Sequence, residues 1–440
     1  MNLKLFAGLV AAIGLIGCAT APKPVSEPTV VLAQKPVSIN ELDSIRAAFV
    51  LQQECAKVAE RIGCYQASLA PVASAGKVRF AMGTLDELGK IDAGVRSGGH
   101  VLAHAIGIAA GMRSRDITAS FPQCSETFQS GCYHGIIQAY FAGLDSIGAQ
   151  ETNALCQPFR TNPANKWLLF QCVHGMGHGF TMLYAHELPR GLAGCDLLSE
   201  DWDRHSCYSG AFMENIVNVQ MPHHPASELE HHSKGANDSM EGMAGMDGME
   251  GMTHTVPAFK PLDPANPLYP CSALADRYLT ACYEMQTSVM LYENHGDIGG
   301  AAKSCDTAPM AVRTTCYISL GRDISSYSAQ NHAEGIRLCS LGTERYQPWC
   351  YYGLVKNIID LNARSEDGMA MCRDVSSPGN KAECYSAVGE EIWVLDPTNE
   401  GRTRLCSTAE PAYLESCLYG ARVKTPAPQI LLDVWKAGAR

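Results

Sequence analysis

Nineteen cysteines constrain this chain more than any other feature. One, Cys18, stands alone near the start. The rest form nine close pairs: Cys55/Cys64, Cys124/Cys132, Cys156/Cys172, Cys195/Cys207, Cys271/Cys282, Cys305/Cys316, Cys339/Cys350, Cys372/Cys384 and Cys406/Cys417. From Cys271 onward the first members step by 34, 34, 33 and 34 residues, a spacing typical of helical-hairpin repeats. Residues 331–361 serve as the reference unit. A short first helix is expected to end near Cys339. A turn through Gly342 and Thr343 leads to Pro348, a favourable helix-start residue, and a second helix follows from about Trp349 to Leu361. Leu354, Ile358, Ile359 and Leu361 give that helix one apolar stripe. The next unit repeats the plan through Cys372, the turn Ser376–Gly379, Cys384 and a helix to Leu395. Each cysteine pair therefore straddles the closed end of a hairpin. Crosslinking loops of this length removes roughly 2–3 kcal/mol of unfolded-state entropy. Zinc binding by the thiolates is the rival reading, but no Cys-x-x-Cys occurs.

The chain begins with Lys4 and an apolar stretch, Leu5 to Ile16, too short to span a bilayer and suited to a signal peptide. Leu15-Ile16-Gly17-Cys18 resembles a bacterial lipobox. The resemblance implies cleavage before Cys18, lipidation of that cysteine and, with Ala19 rather than Asp next, an outer-membrane, periplasm-facing location. Export places the remaining cysteines where disulfides persist. The net charge of −11 is dispersed, so nothing points to a nucleic acid partner.

The expected organisation is a signal peptide at 1–17, a lipidated Pro-rich tether at 18–40, repeats at 41–218, an insertion at 219–262, further repeats at 263–424 and a terminal cap or tail at 425–440. A second signature, Cys-Tyr-x-Gly or close to it, opens the second helix at Cys132, Cys207, Cys350 and Cys417. Its Tyr is expected to pack between hairpins and its Gly to let helices approach closely. Period, hairpin form and cysteine placement resemble Sel1-like and tetratricopeptide repeats, and most of all the cysteine-rich Sel1-like proteins secreted by some bacteria. The resemblance implies an all-α solenoid of about ten hairpins with intra-hairpin disulfides, the unit of His100 and His104 lacking its cysteines.

Five of the fourteen histidines fall in equivalent places. Gly98-Gly99-His100-Val101-Leu102-Ala103-His104 aligns with Cys172-Val173-His174-Gly175-Met176-Gly177-His178, and Cys132-Tyr133-His134 lies between them with Gln138 at the second slot. Histidines four apart share a helix face and can chelate one metal. His100, His104, His134, Gln138, His174 and His178 are thus expected to line one groove, continued by Ser209, Met213 and Glu214. Equivalent helices two repeats apart could share an ion only in a tightly curved array, since packed helices sit about 8–10 Å apart. The alternative is that these imidazoles merely hydrogen-bond in helix packing. A metalloprotease is disfavoured, because Val101 and Gly175 stand where its catalytic Glu would follow the first His.

The insertion holds Met240, Met243, Met246, Met249 and Met252, with Gly at each third place, flanked by His223, His224, His231, His232 and His254. A three-residue period suits neither helix nor strand, so a disordered, mobile loop is expected. Thioethers are soft ligands that select Cu(I), and imidazole suits copper in either state. The stretch from His231 to Met252 resembles the Met/His-rich segments of periplasmic copper-resistance proteins. The sequence thus points to a lipid-anchored solenoid that captures copper, with another divalent transition metal open at the His ridge. A metalloenzyme with a His-ligated centre and a scaffold for another envelope protein are the competing expectations.

Overall fold

The computed structural model describes residues 36–39, 42–162, 165–220, 259–362 and 364–439. Cys18 and the Met/His insertion, including His223, His224, His231, His232, Met240, Met243, Met246, Met249 and Met252, lie outside the described residues.

The described residues form an all-α array of paired helices. In the N-terminal half these are α1 (Ser44–Cys55), α2 (Arg61–Ser74), α3 (Val78–Ile91), α4 (Ala93–Arg113), α5 (Ile117–Ser120), α6 (Gly131–Phe141), α7 (Ala149–Leu155), α8 (Gln157–Arg160), α9 (Lys166–Leu183), α10 (Leu188–Cys195) and α11 (Asp201–Gln220). Second helices stack on one another in chain order, α2 on α4, α4 on α6, α6 on α9 and α9 on α11. The stack continues through helices Arg313–Tyr327, Gln347–Asn362, Pro378–Leu395 and Leu414–Gly420. Starts are set by local capping. Asp43, Asp92, Asp116, Asp297 and Asn331 each accept a backbone N–H of the first turn, which satisfies donors that the helix itself cannot.

All nine expected cysteine pairs are disulfides, each with Cα atoms 5.6–5.8 Å apart. The α3/α4 hairpin carries none; Leu102 stands buried where its neighbours have a bridged cysteine. The signature tyrosines Tyr133, Tyr208 and Tyr351 are buried, and Tyr208 meets Tyr278 of the following hairpin edge-to-face at 4.9 Å.

Glycines set the spacing of the stack. A Cβ built on Gly107 would lie 2.1 Å from the Cys132 carbonyl oxygen, and one on Gly135 would lie 2.2 Å from that of His104. The same reciprocal contact recurs between Gly177 and Gly210, Gly321 and Gly353, and Gly389 and Gly420. These helices touch backbone to backbone, so only glycine fits. The hairpins therefore associate in twos, a longer rhythm than the 34-residue step.

This register corrects the histidine alignment. Each close-contact glycine opposes the carbonyl of a residue three positions before its partner, so His104 is the equivalent of His174, with Ile318 and Ser386 in the later pairs. The sequence alignment had instead equated His100 with His174. The array also curls tightly: Lys166 at the start of α9 places its Nζ 3.6 Å from the ring centre of Trp393.

Candidate metal centre

Helices α6 and α9 explain where the histidines go. No charged residue occurs in α6 and only Lys166 in α9. Every residue of α9 from Gln171 to Leu183 is buried, as expected of a helix apolar on all sides. The expected surface groove is therefore an interior cluster. His104, His134, His174 and His178 are between 0 and 4 % exposed, and Gln138 is fully buried. His100 alone is half-buried.

Five imidazoles from three helices converge there. Ring centres lie 4.5 Å apart for His100 and His104, 5.3 Å for His104 and His134, 4.7 Å for His134 and His174, and 5.2 Å for His174 and His178. His104 of α4 also lies 4.9 Å from His178 of α9. Helices two hairpins apart thus come within ring contact. Two histidine triads, His100/His104/His134 and His134/His174/His178, each bring one nitrogen per residue within 4.8 Å of the others, and each draws its histidines from neighbouring second helices only. Either triad could hold a metal ion.

The outward hydrogen bonds fix which nitrogens face inward. His100 donates from Nδ1 to the Phe128 carbonyl at 2.8 Å. His104 donates from Nδ1 to Gln138 Oε1 at 2.8 Å. The Gln138 amide is oriented by its own Nε2, which donates to Glu214 Oε2 at 3.0 Å. His178 donates from Nδ1 to the same Glu214 oxygen at 2.8 Å. His134 uses Nε2 with Gln171 Oε1 at 2.8 Å. A neutral imidazole whose one nitrogen donates has its lone pair on the other. The lone pairs of His100, His104 and His178 therefore sit on Nε2, and that of His134 on Nδ1.

The consequence is sharpest between His100 and His104, whose Nε2 atoms stand 3.0 Å apart. Two lone pairs in contact repel unless one ring carries a second proton or a cation lies against both. With metal–nitrogen bonds of about 2.0–2.1 Å, neighbouring ligand atoms of one ion are about 3.0–3.4 Å apart, so the contact has the length of a ligand edge. Among the described residues His134 Nδ1 and both ring nitrogens of His174 make no hydrogen bond of good geometry, although the Ser206 backbone favours protonation of His174 weakly. An unsatisfied buried polar atom costs about 1–3 kcal/mol, and His134 and His174, ring neighbours at 4.7 Å, both carry one. The residues present therefore fit a metal ion.

Electrostatics agree. Burial, and then the charge of neighbouring imidazoles, holds His134 and His174 well below the ordinary histidine range. Both are neutral at physiological pH and so competent as ligands. Glu214, fully buried on α11, orients His178 directly and His104 through Gln138. This is the carboxylate–imidazole support that metal-binding histidines commonly have.

Of the residues expected on the ridge, the structure brings together His100, His104, His134, Gln138, His174, His178 and Glu214. Gln171, Phe128 and His186 are additions. His186 Nδ1 approaches Glu214 Oε1 at 3.9 Å. Gln171 was readable in principle, lying three positions before His174 and so on its helix face; the other two depend on turns that sequence periodicity does not place. No family model, curated protein or solved structure matches the chain. Among the described residues no helix is long and apolar enough to cross a membrane, and the nine disulfides place the repeats in an oxidising compartment.

Proposed function

We propose that this is an envelope lipoprotein that captures copper, with the buried histidine cluster as its holding site. The observation that carries the reading is the direction of the donors. Four imidazoles spend one nitrogen on outward hydrogen bonds, which leaves the other for the two triads that they form with His174 and with one another. An all-imidazole shell suits copper, and the Glu214 carboxylate that touches it supplies a buried negative charge close to the ion. That charge favours a monovalent ion, because an unpaired buried charge is costly. Cu(I) is the soft monovalent choice.

The Met/His segment from His223 to Met252 serves in this reading as the collecting arm, since its thioethers select the same oxidation state. Lipidation at Cys18 tethers the array to the outer membrane through the Pro-rich segment, facing the periplasm. Metal analysis of the full chain, purified without oxygen from its native compartment, tests the proposal. Copper is expected in the wild type. Deleting residues 240–252 lowers its stoichiometry and leaves helicity unchanged, whereas replacing His174 and His178 by Ala removes the tightly held fraction. Metal at background level in the wild type would end the copper reading. Cys18→Ser is expected to release the protein from the membrane fraction; retention would rule out the lipid as sole anchor.

A further inference from the structure

We infer that the cluster holds one ion at a time in two adjoining seats that share His134, an outer seat through which the ion enters and an inner seat where it is kept. The inference rests on the metal-centre reading above and concerns how that centre is loaded.

Both triads contain His134. Its Nε2 is engaged by Gln171 at 2.8 Å, so only Nδ1 faces the cluster. A neutral imidazole has one lone pair, and a bridging form that served two ions would need both nitrogens. His134 can therefore complete one triad or the other, never both. Five histidines arranged as two triads are then one ion's worth of ligands in two positions, not a two-metal centre.

The seats differ in access. The outer one includes His100, the only half-buried member, at the end of the cluster nearest solvent. The inner one adds His174 and His178, 4 and 0 % exposed. They are close neighbours: His104 and His178 rings are 4.9 Å apart, and His134 and His178 are 5.0 Å apart. An ion bound by His100, His104 and His134 reaches the inner seat by exchanging His100 and His104 for His174 and His178 while His134 stays attached. No charge or oxidation state changes in the step, and no ligand need be bare in between. The inner seat then shields the ion from water and competing ligands.

A second feature marks the entrance. Phe128, whose carbonyl holds His100, begins a run of three left-handed residues, Phe128, Gln129 and Ser130, with φ of 54, 52 and 62°. Left-handed backbone in non-glycine residues is costly, and such strain collects at sites that bind or move ligands. Here it sits against the half-buried imidazole of the cluster.

Cobalt(II) chloride added to the full chain tests the model of two seats, because its d–d absorption reports nitrogen ligation and thioethers contribute little to its binding. Wild type is expected to take up one Co(II) at the cluster. His100→Ala should slow loading by roughly tenfold, the factor that about 1.4 kcal/mol of barrier makes, with the final spectrum that of the inner seat. His174→Ala should load quickly, show a different spectrum and release the ion faster. Two Co(II) per cluster in the wild type would overturn the inference without any variant. So would identical spectra and loading rates for the two variants, once circular dichroism shows both folded. A wild type that takes up neither cobalt nor copper would remove the metal-centre reading itself.

Discussion

Glu214 accepts the Nδ1 proton of His178 across 2.8 Å, from a helix that contributes no histidine to either triad. One carboxylate on α11 thereby sets the tautomer of a ring on α9 and, through Gln138 on α6, of His104 on α4. Four helices are committed to a single arrangement of lone pairs, which ties the metal chemistry to the packing of the whole N-terminal half.

Replacing that carboxylate should therefore weaken the site more than the fold. Glu214→Gln keeps the volume and removes the charge. Copper affinity, measured by competition with a chromophoric Cu(I) chelator, should fall about 10–100-fold, the usual effect of losing a group that orients a metal ligand. Unchanged affinity would show that the carboxylate serves packing alone.

The metal-free protein should lose stability in mild acid. His134 and His174 are held below their unfolded value, mainly by burial and then by neighbouring imidazoles. Their stability contribution is complete above about pH 6.5 and declines below it, because the unfolded chain takes up protons that the folded cluster refuses. Each imidazole contributes a slope of at most about 1.4 kcal/mol per pH unit in that window. Urea unfolding of the apo protein between pH 7 and pH 5 checks the sign; stability that rises on acidification would mean that the cluster is protonated when folded.

The disulfides should act locally. Cys305 and Cys316 close an eleven-residue separation, so replacing both by Ser should cost roughly 2–3 kcal/mol by loop entropy. Repeat arrays transmit such losses mainly to nearest neighbours, and Cu(I) affinity at the distant cluster should stay at the wild-type value. The α3/α4 hairpin, which folds without a bridge, shows that the hairpin form itself does not depend on one.

The fold was legible because cysteine spacing is a covalent constraint. Pairs such as Cys339/Cys350 and the turn between them fix hairpin, period and compartment together. The helix from Gln347 to Asn362 begins two residues before the expected Trp349 and ends one after Leu361. The histidines were legible as a set but not in depth. His-x-x-x-His at His174 and His178 specifies a shared face, not whether that face meets water. The decisive signal was the lack of charge along α6 and α9, which leaves neither helix an aqueous side. Register was lost for a related reason: His100 and His104 look like His174 and His178 as text, while backbone contact at Gly107 and Gly177 equates His104 with His174.

That backbone contact gives the most direct link between fold and site. A Cβ on Gly210 would sit 1.9 Å from the His174 carbonyl oxygen, so Gly210→Ala must push α11 away from α9. Overpacking of this kind costs about 1–3 kcal/mol, and a clash with backbone, which cannot rotate aside, should reach the upper end. Glu214 lies one turn further along the same helix, so the displacement also lengthens its bond to His178. Gly210→Ala should therefore lower both thermal stability and copper affinity. Gly63 provides the control. It lies in α2, and a Cβ there meets nothing closer than 3.9 Å, so Gly63→Ala should leave copper binding alone and stabilise by about 0.5–1 kcal/mol through helix propensity. Calorimetry and Cu(I) titration on the two variants read both effects. Equal behaviour of the two would mean that α9 and α11 tolerate a wider separation than their glycines imply.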